Sequence, residues 1–329
     1  MGIIVSKLVS KVLYLPPKAG YPSYHSRFKD SYFEILTPDG KIAAVFINRN
    51  LPLTFIYMHG NAEDLFSTYF YLHWLSYTFG VNVISFDYPG YGQTSGECTE
   101  PQLKRCAERL INHVLTVIKL DPKNIVLYGH SLGTAIASHL AYYLTNKGIP
   151  PAGLILQSAF TSVYSIGIDF RTKRKSDMYR TIDIIGYIEC PILFIHGNQD
   201  NLIPRKHTQR LYMAVQQKYR NDILFVDNAG HNNVETRCYP RIILLNHIRQ
   251  FMIRVRQQEL YNEYYIQPEY DSTYFFDLKN ENTRQEVSDS RENLIDFDRY
   301  DDSWMSFSRR TMNINKQEKE LKESLLPSQ

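Results

Sequence analysis

The feature that most constrains the fold is a glycine-serine-glycine motif between a strand and a helix. Residues 125–127 are apolar, residues 129–133 read Gly-x-Ser-x-Gly, and residues 135–141 favour a helix. A serine at such an elbow has a strained backbone, and the two glycines leave no side chains to collide where strand and helix nearly touch. The motif therefore predicts that Ser131 stands above a sheet edge, beside the N-terminal amides of a helix.

Strand-like and helix-like segments alternate on both sides of this motif. The predicted strands are residues 32–36, 42–47, 53–58, 81–86, 125–127, 153–157, 191–197 and 223–226. The predicted helices are residues 63–79, 100–119, 135–146, 206–217 and 234–256. This alternation predicts an α/β fold with a mostly parallel central sheet and helices on both faces. Only about thirty residues separate two of the later strands, so the lid over a site at the sheet edge is minimal.

Three polar residues each follow a predicted strand, in the order Ser131, Asp200, His231. The carboxyl ends of parallel strands share one rim, so these residues can converge. Serine is a weak nucleophile until a base takes its proton, and a carboxylate must orient that base. We therefore expect a catalytic triad. Asp227 lies close before His231, which makes it a less suitable partner than Asp200.

The same reasoning predicts an oxyanion hole made of backbone amides. Its donors are the N–H of Leu132, directly after the nucleophile, and the N–H of Asn61 or Ala62, after an earlier strand. The remaining histidines near strand ends are interpreted as structural or loop residues: His59, His130 and His196.

No cofactor or metal ion is expected. The four cysteines form no C-x-x-C pair, so neither a zinc site nor a disulfide framework is indicated. Residues 87–96 are rich in glycine, but they lack the G-x-G-x-x-G spacing and open no helix, so we interpret them as a loop and not as a nucleotide site.

The ends of the chain differ from its centre, and we predict three regions. Residues 1–30 form an N-terminal membrane-anchoring segment, residues 31–256 a catalytic domain, and residues 257–329 an acidic, disordered tail. The Met-Gly-x-x-x-Ser start fits N-myristoylation of Gly2. The alternative is that these first residues form a strand or helix packed on the body.

Charge is distributed unevenly along the chain. Residues 257–329 contain 9 Lys and Arg against 16 Asp and Glu, a net charge of −7, whereas residues 1–256 contain 28 against 18, a net charge of +10. A basic body without a nucleic-acid-binding motif favours an anionic membrane surface as a partner and disfavours nucleic acid. An ordinary solvated surface is the alternative.

Five segments together resemble the α/β-hydrolase fold and, more closely, the α/β-hydrolase-domain family 17. They are residues 59–62 (HGNA), 87–92 (DYPGYG), 129–134 (GHSLGT), 196–200 (HGNQD) and 230–232 (GHN). The similarity covers about residues 12–255. Members of that family are membrane-associated serine hydrolases that remove palmitate from protein cysteines.

The resemblance implies a thioesterase that acts on S-acylated, membrane-associated proteins. It implies a peripheral location on the cytoplasmic face of the plasma membrane or of endosomes. Family members are held there by a palmitoylated N-terminal cysteine cluster, but the first cysteine here is Cys98, so attachment depends on Gly2. The alternatives are a carboxylesterase or lipase that acts on small esters or lipids, and a scaffold without catalytic activity.

Overall fold

The computed structural model describes residues 14–17, 23–167, 177–238 and 242–256. The myristoylation motif at Gly2, residues 168–176 of the predicted lid and the acidic tail from residue 257 lie outside these ranges. Among the helices of the described part of the chain, none has the length and apolarity needed to cross a bilayer.

Eight strands form one sheet in the order β1-β2-β4-β3-β5-β6-β7-β8. The strands are β1 (Tyr32–Thr37), β2 (Gly40–Ile47), β3 (Thr54–Met58), β4 (Asn82–Phe86), β5 (Ile125–His130), β6 (Gly153–Gln157), β7 (Ile192–Gly197) and β8 (Arg220–Val226). β1 and β2 form an antiparallel hairpin, β2 pairs antiparallel with β4, and all remaining pairs are parallel. The mostly parallel sheet predicted from the sequence is confirmed.

Helices connect the strands. They are α1 (Tyr24–Phe28), α2 (Leu65–Phe79), α3 (Glu100–Thr116), α4 (Leu132–Asn146), α5 (Val163–Gly167), α6 (Thr181–Ile184), α7 (Lys206–Ala214), α8 (Val234–Arg237) and α9 (Ile242–Val255). α2 begins with a capping box, in which Asp64 accepts from the Ser67 amide at 2.8 Å and the Ser67 hydroxyl accepts from the Asp64 amide at 2.9 Å. Such reciprocal caps satisfy amides that have no partner inside the helix.

Side chains alternate across the sheet and bury both of its faces. In β5, Ile125 and Leu127 join the large core cluster that also holds residues of α3 and α4. On the opposite face, aromatic rings of β3 pack on α2: the ring centroids of Phe55 and Phe79 are 6.2 Å apart, and those of Tyr57 and Tyr71 are 5.3 Å apart. Because side chains along a strand point alternately to the two faces, uninterrupted apolar strands require helices on both.

The elbow depends on a close approach between the start of α4 and the ends of β3 and β5. A Cβ on Gly133 would overlap the carbonyl oxygen of Met58 in β3, and a Cβ on Gly129 would overlap the carbonyl of Gly133. These are backbone atoms, which cannot rotate away. The glycines are therefore required by packing between elements, as the sequence predicts.

We expect Gly133→Ala to destabilise the protein by about 3 kcal/mol, because an added methyl group in a filled site forces backbone shifts. Gly148→Ala is the matched control at the other end of α4. Gly148 has φ +71° with no heavy atom within 4 Å of an added Cβ, so only backbone strain of about 1 kcal/mol is expected. Urea unfolding of both variants measures the difference, and equal losses would contradict the close-approach argument.

Two details of the sequence prediction are wrong. The single helix predicted from about Val234 to Arg256 is interrupted, because α8 ends at Arg237 and Cys238 leaves helical geometry with ψ 101°. Pro240 follows in the sequence, and a proline is disfavoured inside a helix because it lacks the N–H group. In addition, the short helices α1, α5 and α6 were not predicted, since each is too short for a hydrophobic period.

Candidate active site

Ser131 lies at the turn between β5 and α4, with φ 52° and ψ −117°. A non-glycine residue pays for positive φ with strain of about 1–3 kcal/mol, and the surroundings must impose it. Here the Ser131 amide donates to the carbonyl of Gln157 on β6 at 3.0 Å, and the Thr134 amide donates to the Ser131 carbonyl at 2.9 Å. Hydrogen bonds on both sides thus hold the serine in the conformation that the motif predicts.

The structure brings the three predicted triad residues together. Nε2 of His231 is 2.8 Å from Oγ of Ser131, and Nδ1 of His231 is 2.7 Å from Oδ2 of Asp200. A carboxylate only accepts hydrogen bonds, so the His231 ring donates from Nδ1, and in the neutral ring Nε2 accepts from the serine hydroxyl. This is the arrangement in which histidine can take the serine proton.

Asp200 is held by backbone amides as well as by the histidine. Its Oδ1 accepts from the amides of Leu202 at 3.0 Å and Ile203 at 2.8 Å, while Oδ2 faces His231. Burial works to raise the pKa of the Asp200 carboxyl, but the charge and hydrogen bond of His231 outweigh it, so the pKa lies below its usual value. The carboxylate is therefore fixed and ionised.

Asp227, the competing carboxylate, lies elsewhere. Its Oδ1 accepts from the side-chain amide of Asn198 at 2.5 Å, and the residue is exposed. The geometry therefore assigns His231 to Asp200.

The predicted oxyanion-hole residues occupy two adjacent segments. Leu132 is the first residue of α4, where an amide has no carbonyl in a preceding turn to bond. Asn61 and Ala62 follow β3, which pairs with β5 and so places them beside the elbow. Ala62 turns the backbone with φ 61°, and Oδ1 of Asn61 accepts from the Tyr91 hydroxyl at 2.6 Å.

The N-terminal segment and the lid both reach this region. The Leu15 amide donates to Oδ1 of Asn61 at 3.1 Å, and the hydroxyls of Tyr14 and Tyr179 are 2.6 Å apart. Tyr179 belongs to the connection between β6 and β7, the predicted minimal lid. These contacts tie the start of the described chain to the loop that carries Asn61.

The other histidines near the strand ends differ in environment. His59 is buried, stacks on Tyr88 with ring centroids 3.8 Å apart, and has its pKa lowered to about 4 by burial. His196 is buried between the Ile203 carbonyl and the Thr208 hydroxyl, each 2.8 Å from a ring nitrogen. His59 thus packs as a structural residue, as interpreted from the sequence, whereas Nε2 of His196 also lies 3.4 Å from Oδ2 of Asp200 and so contacts the triad.

His130 contacts two loops of the site, through Glu63 and the His231 carbonyl, and sequence reasoning missed this pair. Two sequence features could have indicated this pair: His130 directly precedes Ser131, and Glu63 directly follows residues 59–62. Across the described ranges, no group of three or more His, Cys, Asp or Glu side chains is placed to hold a metal ion.

The profile of the alpha/beta hydrolase family matches residues 55–187. Human alpha/beta hydrolase domain-containing protein 17B is 31% identical over 284 residues, which cover 78% of this chain and 93% of the human protein. Mouse alpha/beta hydrolase domain-containing protein 17C is 30% identical over 232 residues, 68% of this chain and 69% of the relative. The chain belongs to the alpha/beta hydrolase domain-containing protein 17 family.

Solved structures agree with this family 17 assignment at the level of the fold. An esterase of Pyrococcus furiosus, Pf2001, superposes with a TM-score of 0.55 over 73% of this chain and 98% of the esterase, at 18% identity. At such identity the likeness concerns the fold alone. The family 17 chain thus has an α/β-hydrolase fold, as the five sequence segments predict, and family membership supports hydrolase activity.

Proposed function

We propose that this family 17 member is a serine hydrolase that cleaves the thioester of S-palmitoylated proteins. The observation that carries the proposal is the hydrogen-bonded series from Ser131 through His231 to Asp200, at 2.8 Å and 2.7 Å. The choice of a protein thioester rests on the family resemblance and on the short connection between β6 and β7. A small lid leaves the serine within reach of an acyl group presented from a protein surface.

The geometry supports the following acylation step. Oγ of Ser131 bonds to the thioester carbonyl carbon while its proton passes to Nε2 of His231, and Asp200 stabilises the imidazolium that forms. The carbonyl oxygen becomes an oxyanion, which the Leu132 amide and an amide of the 61–62 segment stabilise. The carbon–sulfur bond then breaks, and the cysteine sulfur takes the proton from His231.

Deacylation uses the same groups in the same roles. Water attacks the acyl-enzyme carbonyl and gives a proton to Nε2 of His231, and the oxyanion again forms beside the Leu132 amide. The bond to Ser131 Oγ breaks as His231 returns the proton to it. The products are the fatty acid and the free enzyme, and no cofactor takes part.

Hydrolysis of a palmitoyl-cysteine peptide on liposomes tests the substrate class. We expect the purified full-length protein to release palmitate, and the kcat/KM for this substrate to exceed that for a soluble short-chain p-nitrophenyl ester by at least about tenfold. Ser131→Ala is the negative control. Efficient turnover of the soluble ester with the palmitoyl peptide left intact would replace the thioesterase by a carboxylesterase or lipase.

We also propose that the protein is peripheral on the cytoplasmic face of a membrane, where its substrates are S-acylated membrane-associated proteins. One myristoyl chain gives only marginal binding, on the order of 10⁴ M⁻¹, so a second signal is needed. Lys7, Lys11 and Lys18 supply it at about 1 kcal/mol each on an anionic surface. The Leu15 contact with Asn61 supports this orientation, because it places residue 15 next to the loop that carries the predicted oxyanion donors.

Gly2→Ala tests the anchor. We expect this variant to move from the membrane to the soluble fraction of cells, while its kcat/KM on a soluble ester stays within about twofold, because Gly2 is not part of the triad. Mass spectrometry of the wild-type N-terminus provides the direct control. An unmodified N-terminus, or a Gly2→Ala protein that remains membrane-bound, would contradict the proposal.

A further inference from the structure

Directly beside the triad lies a buried acid–histidine pair that the proposed reaction does not use. Oε2 of Glu63 is 3.8 Å from Nδ1 of His130, and the two side chains are only 13% and 8% exposed. Glu63 belongs to the loop after β3, and His130 is the last residue of β5, immediately before Ser131. The pair therefore joins two strand ends at the rim where the site lies.

Each member of the pair also holds a loop of the site. Oε2 of Glu63 accepts from the Gly60 amide at 2.6 Å, which fixes the segment that leads into Asn61 and Ala62. Nε2 of His130 is 3.3 Å from the backbone carbonyl of His231. The same pair thus contacts the predicted oxyanion loop on one side and the base on the other.

The fit around Gly60 is tight. A Cβ at this position would lie 3.0 Å from Nδ1 of His130 and 3.2 Å from Oε2 of Glu63. A side chain at this position would therefore displace the ends of both side chains by a few tenths of an ångström. The pair thus packs directly against the backbone that precedes the predicted oxyanion donors.

The surroundings favour the charged form of both partners. Burial alone would lower the pKa of His130, but the interaction with the Glu63 carboxylate 3.8 Å away, together with the charge of Glu235, outweighs it and raises the pKa to about 8. Burial would raise the pKa of Glu63, but His130 lowers it. The other titratable rings that interact with the pair include His59, which burial keeps neutral, His231, and the tyrosines Tyr57 and Tyr88, whose pKa values burial raises.

Protonation decides how many loops the ring can hold. A charged imidazole attracts the Glu63 carboxylate across 3.8 Å and donates from Nε2 to the His231 carbonyl at 3.3 Å, whereas a neutral ring has no charge and only one donor. Loss of the proton thus costs one of the two contacts. Because the pKa is raised, both contacts are present below pH 8 and one is lost as the pH rises through about 8.

We propose that Glu63 and His130 are positioning residues. They hold the loop with the predicted oxyanion donors, residues 59–62, and the loop that carries His231 at fixed positions relative to Ser131. This inference rests on the proposed acyl-enzyme chemistry at Ser131 and deepens it. Stability alone is a weak reason for such a pair, because buried ion pairs can often be replaced by apolar side chains without loss of stability. The pair can instead hold two loops at a fixed distance from each other. Apolar side chains, which make no directional contacts, would fix that distance less specifically.

The test compares Glu63→Ala, Glu63→Gln, His130→Ala and the Glu63→Ala/His130→Ala double variant on a soluble p-nitrophenyl ester. Active sites are counted by fluorophosphonate labelling of Ser131, so that misfolded protein does not enter kcat. We expect each alanine variant to lower kcat by about 10- to 100-fold with KM changed by less than about threefold, since transition-state contacts alone are misplaced. The double variant should lose no more than the worse single variant, because the residues act together.

Glu63→Gln separates positioning from general damage. Its amide oxygen can still accept from the Gly60 amide, so we expect kcat to recover to within about fivefold of wild type at pH 6. The charge that holds the His130 proton is gone, so the alkaline limb of the kcat profile should move about one unit to lower pH. A merely structural pair would change protein yield and not this limb.

A second histidine–glutamate pair provides the matched control. Nε2 of His139 lies 2.7 Å from Oε1 of Glu108, between α4 and α3 and away from the strand ends. Glu108→Gln should leave kcat within about twofold of wild type and the pH profile unmoved.

An unchanged kcat per labelled site, additive losses in the double variant or an unmoved alkaline limb in Glu63→Gln would each overturn the inference while leaving the proposed function intact. A wild-type protein whose Ser131 is not labelled would overturn both.

Discussion

Replacing Ser131 or His231 with alanine is expected to lower kcat for any ester by about a millionfold. The two side chains are 2.8 Å apart and share one proton, so removal of either one abolishes the activated nucleophile. For the same reason the Ser131→Ala/His231→Ala double variant should be no slower than the single variants. What remains is the contribution of the backbone amides and of substrate binding.

Ser138→Ala is the matched control for this substitution. Ser138 is buried in the same helix, α4, and its hydroxyl donates to the Thr134 carbonyl at 2.8 Å without contacting the triad. Its alanine variant should keep kcat within about twofold. The measurement is steady-state hydrolysis of a p-nitrophenyl ester, and a Ser131→Ala enzyme near the wild-type rate would eliminate the triad hypothesis.

The parts of the molecule that the sequence predicts well are those with a strong local signal. An apolar run, two glycines and a helix-forming run together predict β5 and α4. A Cβ at Gly129 or Gly133 would overlap backbone atoms, which explains why glycine is required at both positions. Once the strands are recognised as parallel, residues that follow their carboxyl ends are expected to lie along one edge of the sheet. Asp200 and His231 could therefore be chosen before any distance was known.

The parts that the sequence does not reveal depend on contacts between distant residues. Glu63 and His130 are 67 positions apart, and only the pairing of β3 with β5 makes them neighbours. The hydrogen bond from the Leu15 amide to Asn61 likewise joins a segment without regular structure to a loop. No hydrophobic period or motif spacing encodes such contacts, because neither partner changes the local pattern around it.

The choice between two carboxylates shows the same limit on a small scale. Asp200 and Asp227 both follow a strand, β7 and β8, and β7 and β8 pair side by side. Sequence position alone favours Asp200 only because Asp227 stands so close before His231. The decisive fact is the turn after β7, in which two amides fix Oδ1 of Asp200 and thereby aim Oδ2 at the imidazole.

Asp200→Asn is therefore expected to lower kcat by about ten-thousandfold, the second largest effect in the molecule. An asparagine that keeps its carbonyl oxygen on the two amides turns its NH₂ group towards Nδ1 of His231. The ring must then carry its proton on Nε2, where it cannot accept from Ser131. Active-site labelling by fluorophosphonate should slow in parallel, because it needs the same activated serine.

Asp227→Asn makes the identical chemical change at the end of the neighbouring strand. Asp227 contacts Asn198 and not His231, and its side chain is exposed, so we expect kcat to stay within about threefold of wild type. Steady-state ester hydrolysis of the two variants at the same pH gives the comparison directly. A large loss in Asp227→Asn together with a small one in Asp200→Asn would reverse the assignment, and it would require the His231 ring to lie against β8 in the working enzyme.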